Sequence, residues 1–377
     1  MKILFTGGGS GGHILPIIAI AREVRRIAPD KNLKLFYYGP KDEFGAILLS
    51  QEGIKVKTIF SGKIRRYFTF ASFFQNLADV FLFMPIGMIQ AFFSIFFLAP
   101  DLIFSKGGYG SLPTVFTGWL LQVPIFLHES DINPGLANKF LARFAAKIFV
   151  SFPKEKTGYF PPKKMLSAGN PIRKEILEGS KAKAGEMFKI GYEKPVILIL
   201  GGSQGAQRIN DKILEALPEL LSNFEIIHQS GEKNFTQINA ESKAIMPQNL
   251  ASFYHLFPFL EEQEIKQAYA ASDFIVSRAG SGSIFEIAAA GKPSILIPLP
   301  EAAQNHQVKN AYAYAGTGAA IVLEESNFTP RFFLEKLKTL FTRPEDLEKM
   351  SKAAVAFAKP DAAKIIAESM VGGTQKL

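Results

Sequence analysis

The sequence predicts an α/β protein built from two doubly wound parallel-sheet domains, and three features carry that prediction. A chain of 377 residues suits two domains of ordinary size, each with its own core. A unit of strand, glycine turn and helix occurs twice. After each copy, short apolar runs alternate with helix-length segments, the pattern of crossover connections between parallel strands.

The first copy opens with the β-type run Lys2-Ile-Leu-Phe-Thr6, followed by six small residues, Gly7-Gly-Gly-Ser-Gly-Gly12. Ile14, Ile17, Ile18, Ala21, Val24 and Ile27 then recur at helical spacing. In the second copy Pro195-Val-Ile-Leu-Ile-Leu200 leads into Gly201-Gly202-Ser203-Gln204-Gly205 and a helix predicted over 206–220. Further strands are predicted at 34–38, 102–105, 125–128 and 147–150, then at 224–228, 274–277 and 294–297. Apolar periodicity lapses across 161–171, a polar stretch marked by Pro and Gly, which places the domain boundary there. Residues 1–165 and 166–354 are the two expected domains, with a last helix at about 355–377 returning to the first. Ligands of such sheets bind at the carboxyl ends of strands, here expected in a cleft between the domains.

Cysteine is absent, which excludes disulfide scaffolds, thiolate metal sites and cysteine nucleophiles. Chemistry falls to histidine, carboxylates, hydroxyls and backbone. Lys+Arg 43 against Asp+Glu 34 gives a net charge of +9, which favours an anionic partner: nucleotide, nucleic acid or an acidic membrane surface. The first residues lack the basic region, long apolar region and cleavage site of a leader, so the chain is read as not secreted.

Residues 80–99 contain no charge, and Phe stands at positions 81, 83, 92, 93, 96 and 97. Length alone suits a membrane span, but Pro85, Gly87, Gln90 and Ser94 interrupt the run, which passes straight into the strand at 102–105. A buried helix and a helix partly exposed to lipid are the other readings. Upstream, Lys63, Arg65 and Arg66 stand beside Tyr67, Phe68 and Phe70, and cations next to aromatics favour the lipid-facing one. A solvated basic loop over an apolar core would carry the same composition.

The first glycine run satisfies G-x-G-x-x-G in its required context, after a strand and before a helix. Glycines let backbone N–H groups approach a pyrophosphate at the positive end of the helix. A dinucleotide enzyme also needs an acidic residue ending its second strand, and Leu35-Phe36-Tyr37-Tyr38-Gly39 has none. A tight turn packing helix on sheet is the plainer alternative. His13 follows the glycines, where the helix field disfavours imidazolium and leaves a ring able to accept a proton; a histidine that only caps the turn would sit there too.

The run His128-Glu129-Ser130-Asp131 ends a strand, so Glu129 and Asp131 are placed to bind a hydroxyl or take a proton, whereas His128 reads as a core residue. Ser105-Lys106-Gly107-Gly108-Tyr109-Gly110 is a second anion loop or a flexible turn. In the second half, Arg278-Ala279-Gly280-Ser281-Gly282-Ser283 turns into a helix carrying Glu286. That carboxylate either complements the helix dipole or accepts from two vicinal hydroxyls of a ribose. Gln304-Asn305-His306-Gln307 supplies amides of the kind sugar recognition uses; a solvated loop would look the same.

Taken together these motifs resemble the MurG family of peptidoglycan glycosyltransferases. Residues 7–16 (GGGSGGHILP), 105–109 (SKGGY), 128–138 (HESDINPGLAN), 169–173 (GNPIR), 201–210 (GGSQGAQRIN) and 278–291 (RAGSGSIFEIAAAG) recur in the family's order across nearly the whole chain. The resemblance implies a GT-B fold with UDP-N-acetylglucosamine as donor. It implies lipid I, a polyprenyl-pyrophosphate-linked muramoyl peptide, as acceptor and lipid II as product. It further implies peripheral attachment to the cytoplasmic face of an anionic membrane, with no nucleic-acid partner.

The same resemblance places Ser10, Gly11 and Gly12 in the first glycine loop, Arg173 and Ser203 near the diphosphate and Leu260 behind the uracil. It places Ser281, Gly282, Ser283, Ile284, Phe285 and Glu286 in the phosphate and ribose turn, with Glu286 on the ribose, and Gln307 at the sugar. Lys63, Arg65, Arg66, Phe68, Gly107 and Tyr109 fall to the acceptor and membrane side. Asp131 stands where many members have Asn, and His306 precedes Gln307 where a Gln-Gln pair is common.

The reaction expected is an inverting transfer with His13 as first choice of base and Glu129 and Asp131 behind it. No Asp-x-Asp pair occurs, so helix N-termini and Arg173, rather than a bound metal or other cofactor, are expected to meet the leaving-group charge. The alternatives are another UDP-sugar enzyme, such as a glycolipid transferase or an epimerase, and a non-catalytic module binding nucleotide and membrane.

Overall fold

The computed structural model describes residues 1–9, 11–29, 32–62, 70–201 and 206–373. Ser10, Lys63, Arg65, Arg66, Phe68 and Ser203 lie outside the described residues. Chain packing divides the molecule into two units, Met1–Arg173 with Lys359–Leu377, and Lys174–Ala358.

The first unit holds a seven-stranded parallel sheet of β1 (Lys2–Thr6), β2 (Lys34–Gly39), β3 (Lys55–Thr58), β4 (Leu102–Ser105), β5 (Ile125–Glu129), β6 (Lys147–Val150) and β7 (Met165–Ser167). Its order is β3-β2-β1-β4-β5-β6-β7. Successive strand residues point to opposite faces and both faces are covered, so the inner strands are apolar throughout. Ile3 and Phe5 join one core with Ile17, Ile20 and Val24 of helix Gly11–Ile27. Leu4 joins the other with Ile103, Ile125 and Val115.

The change of unit falls after Arg173 rather than after residue 165. Met165–Ser167 is a strand whose Met165 pairs with Ile148, and it completes the first sheet. Helix Ala362–Gly373 packs against helix Gly11–Ile27, with Ile366, Ala367 and Met370 in the first core. Lys147 Nζ donates to Ser369 Oγ at 3.0 Å.

The second unit holds a six-stranded parallel sheet of β8 (Val196–Leu200), β9 (Glu225–Gln229), β10 (Tyr254–Phe257), β11 (Phe274–Ser277), β12 (Ser294–Leu296) and β13 (Ala320–Val322), ordered β10-β9-β8-β11-β12-β13. In both sheets the order reverses beside the first strand, between β1 and β4 and between β8 and β11. Loops diverge at such a point and leave a crevice at the carboxyl ends. Register fixes which loops meet there: Thr6 lies opposite Ser105 and Leu200 opposite Ser277.

The Phe-rich stretch forms one helical run from Phe70 to Leu98, with a π-helical turn at Asp79–Phe83. Within helix Met84–Leu98 only Gly87, Ala91 and Ile95, one side at a spacing of four, are buried. Phe81, Phe93, Phe96 and Phe97 are 73%, 56%, 59% and 79% exposed. The reading as an ordinary buried helix is thereby corrected: one narrow side packs on the sheet and an aromatic side is open. Gly87 is required where the Phe60 carbonyl presses on the helix, since a Cβ there would overlap it. Gln90 reinforces this contact by donating to Thr58 O at 3.0 Å and accepting from Phe60 N at 3.1 Å. By length and composition alone Phe74–Leu98 is apolar enough to cross a membrane.

Candidate active site

In the first unit the β1–β4 register sets two glycine loops side by side, and His13 lies in their grip. His13 is the third residue of helix Gly11–Ile27. A Cβ on Gly8 would stand 3.0 Å from its Cε1, and one on Gly108 would stand 3.2 Å from its Nε2. The ring is therefore held between two backbones that only glycine brings so close. Gly107 and Gly108 both have positive φ, 83° and 81°, and a Cβ on Gly107 would overlap the Asn138 amide. Burial, then the Lys106 ammonium, lowers the His13 pKa to about 4, with Asp131 acting in the opposite direction. The ring is neutral near pH 7.

Behind this ring lies a buried polar network. Lys106, 3% exposed, donates from Nζ to His128 Nδ1 at 2.9 Å, to Asn170 Oδ1 at 3.4 Å and to Ser130 Oγ. Since Nδ1 accepts, the His128 proton sits on Nε2 and is donated to the Gly169 carbonyl at 3.0 Å. Burial and the neighbouring ammonium hold His128 well below its ordinary value. It is the satisfied core histidine that its strand position predicts.

Glu129 does not face outward, as its place at the strand tip suggested. The residue is 3% exposed, and its carboxylate accepts from Asp131 N at 2.9 Å, Gly135 N at 3.3 Å and Asn138 Nδ2 at 2.8 Å. It shapes its own loop. Burial first, then Asp131, pushes its pKa up to about 7. Asp131 is half-buried, and its charge acts on His13, Lys106 and Glu129. Tyr109 opens a 3-10 turn, Tyr109–Ser111, and Arg173, half-buried, ends the first stretch of this unit. Gly11 and Gly12 form the first turn of the helix rather than preceding it.

In the second unit the β8–β11 register sets Leu200 opposite Ser277, and Arg278 N donates to the Leu200 carbonyl just before the turn into helix Ser281–Ala289. That helix starts at Ser281, with Gly280 as its N-cap. Ile284 and Phe285 are 0% and 1% exposed, so their side chains pack inward and only their backbone can serve a ligand. Ser281 is 5% exposed, and Gly282, Ser283 and Glu286 are half-buried. Tyr269 OH donates to Glu286 Oε2 at 3.4 Å, which orients the carboxylate. Leu260, 3% exposed, donates its N–H to Gln229 Oε1 at 3.0 Å.

Gln307 Oε1 accepts from Leu299 N at 3.0 Å, and its amide nitrogen is not used in that bond. Just before it, Gln304 and Asn305 have φ of 56° and 58°, a left-handed pair that turns the chain into helix His306–Ala315. Arg278 pairs with Glu325, and Arg208 reaches Glu301 at 2.7 Å, tying together the loops after β11, β12 and β13. Sequence reasoning left Lys106, Asn170 and this ion network without roles. The SKGGY and GNPIR runs that contain the first two were the available signal.

The profile of the Glycosyltransferase family 28 N-terminal domain matches residues 3–150, and that of the C-terminal domain residues 196–366. The chain is 40% identical over 340 residues to a Bacillus cereus protein named UDP-N-acetylglucosamine--N-acetylmuramyl-(pentapeptide) pyrophosphoryl-undecaprenol N-acetylglucosamine transferase 2, covering 90% of this chain and 91% of that one. A protein of the same name from another Bacillus cereus strain is 38% identical over 370 residues, covering 98% and 99%. Among solved structures, MurG of Acinetobacter baumannii is 26% identical with a TM-score of 0.73, covering 100% of this chain and 99% of that one.

Proposed function

The chain belongs to glycosyltransferase family 28 and to its MurG-type members, with their GT-B fold, and from that premise we propose that it moves N-acetylglucosamine from UDP-N-acetylglucosamine to the muramoyl sugar of lipid I, giving lipid II. The observation that carries this reading is likeness along the whole chain to transferases bearing that name. The geometry is consistent with it. Neutral His13 takes the proton of the acceptor hydroxyl while that oxygen bonds to the anomeric carbon. The bond from that carbon to the UDP oxygen breaks, and the electron pair leaves with UDP. Backbone N–H groups at the start of helix Ser281–Ala289 meet the diphosphate, and Glu286 accepts from the ribose hydroxyls.

Incubating the purified protein with UDP-N-acetylglucosamine and a lipid I analogue is expected to release UDP and lipid II in equal amounts. Absence of transfer, or donor consumption without any acceptor, would reject the proposal. Glu286→Ala is expected to weaken UDP binding in calorimetry by about 10–100-fold, the loss of hydrogen bonds to a charged acceptor. Unchanged affinity would remove Glu286 from the ribose site.

For location, the reading is peripheral attachment to the cytoplasmic membrane face, with the open aromatic side of Phe70–Leu98 entering lipid and the basic sequence 63–66 meeting anionic headgroups. A buried Phe is worth about 1.5–3 kcal/mol. Phe93→Ser with Phe97→Ser should therefore cut partition onto anionic vesicles by well over about tenfold in flotation. Equal flotation of variant and native protein would discard this face as the anchor.

A further inference from the structure

Arg208 lies in the first turn of helix Gln207–Asn223, and its guanidinium forks onto two carboxylates: Nη2 donates to Glu301 Oε1 at 2.7 Å and Nη1 to Glu325 Oε2 at 2.5 Å. The other oxygen of Glu325 pairs with Arg278, and Arg278 Nη1 donates to the Ile297 carbonyl at 3.2 Å. Four segments at the carboxyl end of the sheet are joined in this way: the start of the helix after β8, the end of β11, the loop after β12 and the turn after β13. Two arginines at that end of a sheet could serve a diphosphate directly. Here each faces a glutamate, so their charge is met within the protein. Isolated ion pairs in open solvent are worth little, but the Glu325 side chain is only 8% exposed. One planar fork that spans two loops also fixes them relative to each other, which the point charge of a lysine cannot do.

The segment gripped by this network is the one that ends on Gln307. Inside it Ala302 N donates to Leu299 O, Asn305 N to Ala302 O and Leu299 N to Gln307 Oε1. These are short-range bonds, and they close across the left-handed pair Gln304–Asn305, a backbone conformation that residues other than glycine keep only where their surroundings hold it. Arg208 at Glu301 and Arg278 at Ile297 add hold from outside. Glu301 stands just before the left-handed pair and Gln307 just after it. We propose that Arg208 is a positioning residue for the donor: by clamping Glu301 to Glu325 it keeps this turn closed, sets where the Gln307 amide stands, and so governs how tightly the sugar, as distinct from UDP, is bound. The consequence for binding rests on the donor reading given above; the closure of the turn does not.

Calorimetry of the full chain with UDP and with UDP-N-acetylglucosamine, without acceptor, is the test. In Arg208→Gln the sugar nucleotide should bind about tenfold more weakly, the loss of one well-placed hydrogen bond, while UDP stays within about threefold of native. Glu301→Gln, at an exposed position where folding is not at stake, should act in the same direction. The double variant should lose no more than Arg208→Gln alone, since the second change finds no tie left to break. Three results would each overturn the proposal: native affinity for the sugar nucleotide in Arg208→Gln, equal weakening of both ligands, which is the mark of a merely structural residue, or additive losses in the double variant. A native chain that did not bind UDP-N-acetylglucosamine would count against the donor reading instead, and hydrogen exchange would then decide. Exchange of the Leu299 amide, measured against the β8 amides, should quicken by about tenfold or more in Arg208→Gln; an unchanged rate would end the proposal.

Discussion

His13→Ala is expected to lower kcat for transfer by about 10²–10⁴-fold, the usual contribution of a positioned general base, while UDP affinity stays within about threefold. The pH dependence sharpens the test. In the free enzyme burial and Lys106 hold the ring near a pKa of about 4, so the acid limb of kcat/KM belongs there. A bound acceptor brings a pyrophosphate, and negative charge beside an imidazole stabilises its protonated form. The acid limb of kcat should therefore lie above that of kcat/KM, and the base becomes stronger only when there is a proton to remove. Near-normal turnover by His13→Ala, or an acid limb preserved in His13→Gln, would exclude this histidine from proton transfer.

How much of this could be read without coordinates follows from burial. The inner strands Leu102–Ser105, Lys147–Val150 and Phe274–Ser277 have the predicted bounds because a parallel strand covered on both faces is an uninterrupted apolar run. Strand Lys55–Thr58, with the sequence KVKT and mostly exposed, was not read. At a sheet edge it pairs on one side only and tolerates lysines. Met165–Ser167 hides in a stretch whose prolines and lysines resemble a linker. The glycine loop before His13 was legible because conformation, not packing, dictates glycine there. The Lys106–His128 bond was not, since it joins residues 22 apart through the pairing of Ser105 with Leu127, and no local pattern encodes register between strands. Glu129 shows the opposite failure: strand-tip placement was read correctly, but the turn at Asp131 and Gly135 folds back to use its carboxylate.

The largest effect on stability is expected in the second unit, at His228. This ring is fully buried, with Nε2 3.1 Å from Asn210 Oδ1 and Nδ1 2.8 Å from Tyr254 OH, so it donates from Nε2 and accepts at Nδ1. Burial lowers its pKa from 6.5 to about 3. The unfolded chain then binds the proton more readily than the folded one, and stability rises with pH across that interval. The contribution is complete above pH 6.5 and is lost as pH falls toward 3, amounting to about 3 kcal/mol between pH 7 and pH 4. Glu129 acts with the opposite sign, because its raised pKa favours the folded state as pH falls from 7 toward 4.5, but it belongs to the first unit. Fluorescence of the single Trp, Trp119, reports on the first unit, so the measurement must be local. Hydrogen exchange of the β9 amides, corrected for intrinsic rates, should lose about 10²-fold protection between pH 7 and pH 4. In His228→Gln the protein begins less protected at pH 7, having lost two buried hydrogen bonds, but that titrating slope should vanish. A variant that lost protection on acidification as steeply as the native chain would show that some group other than His228 governs the acid response of this unit.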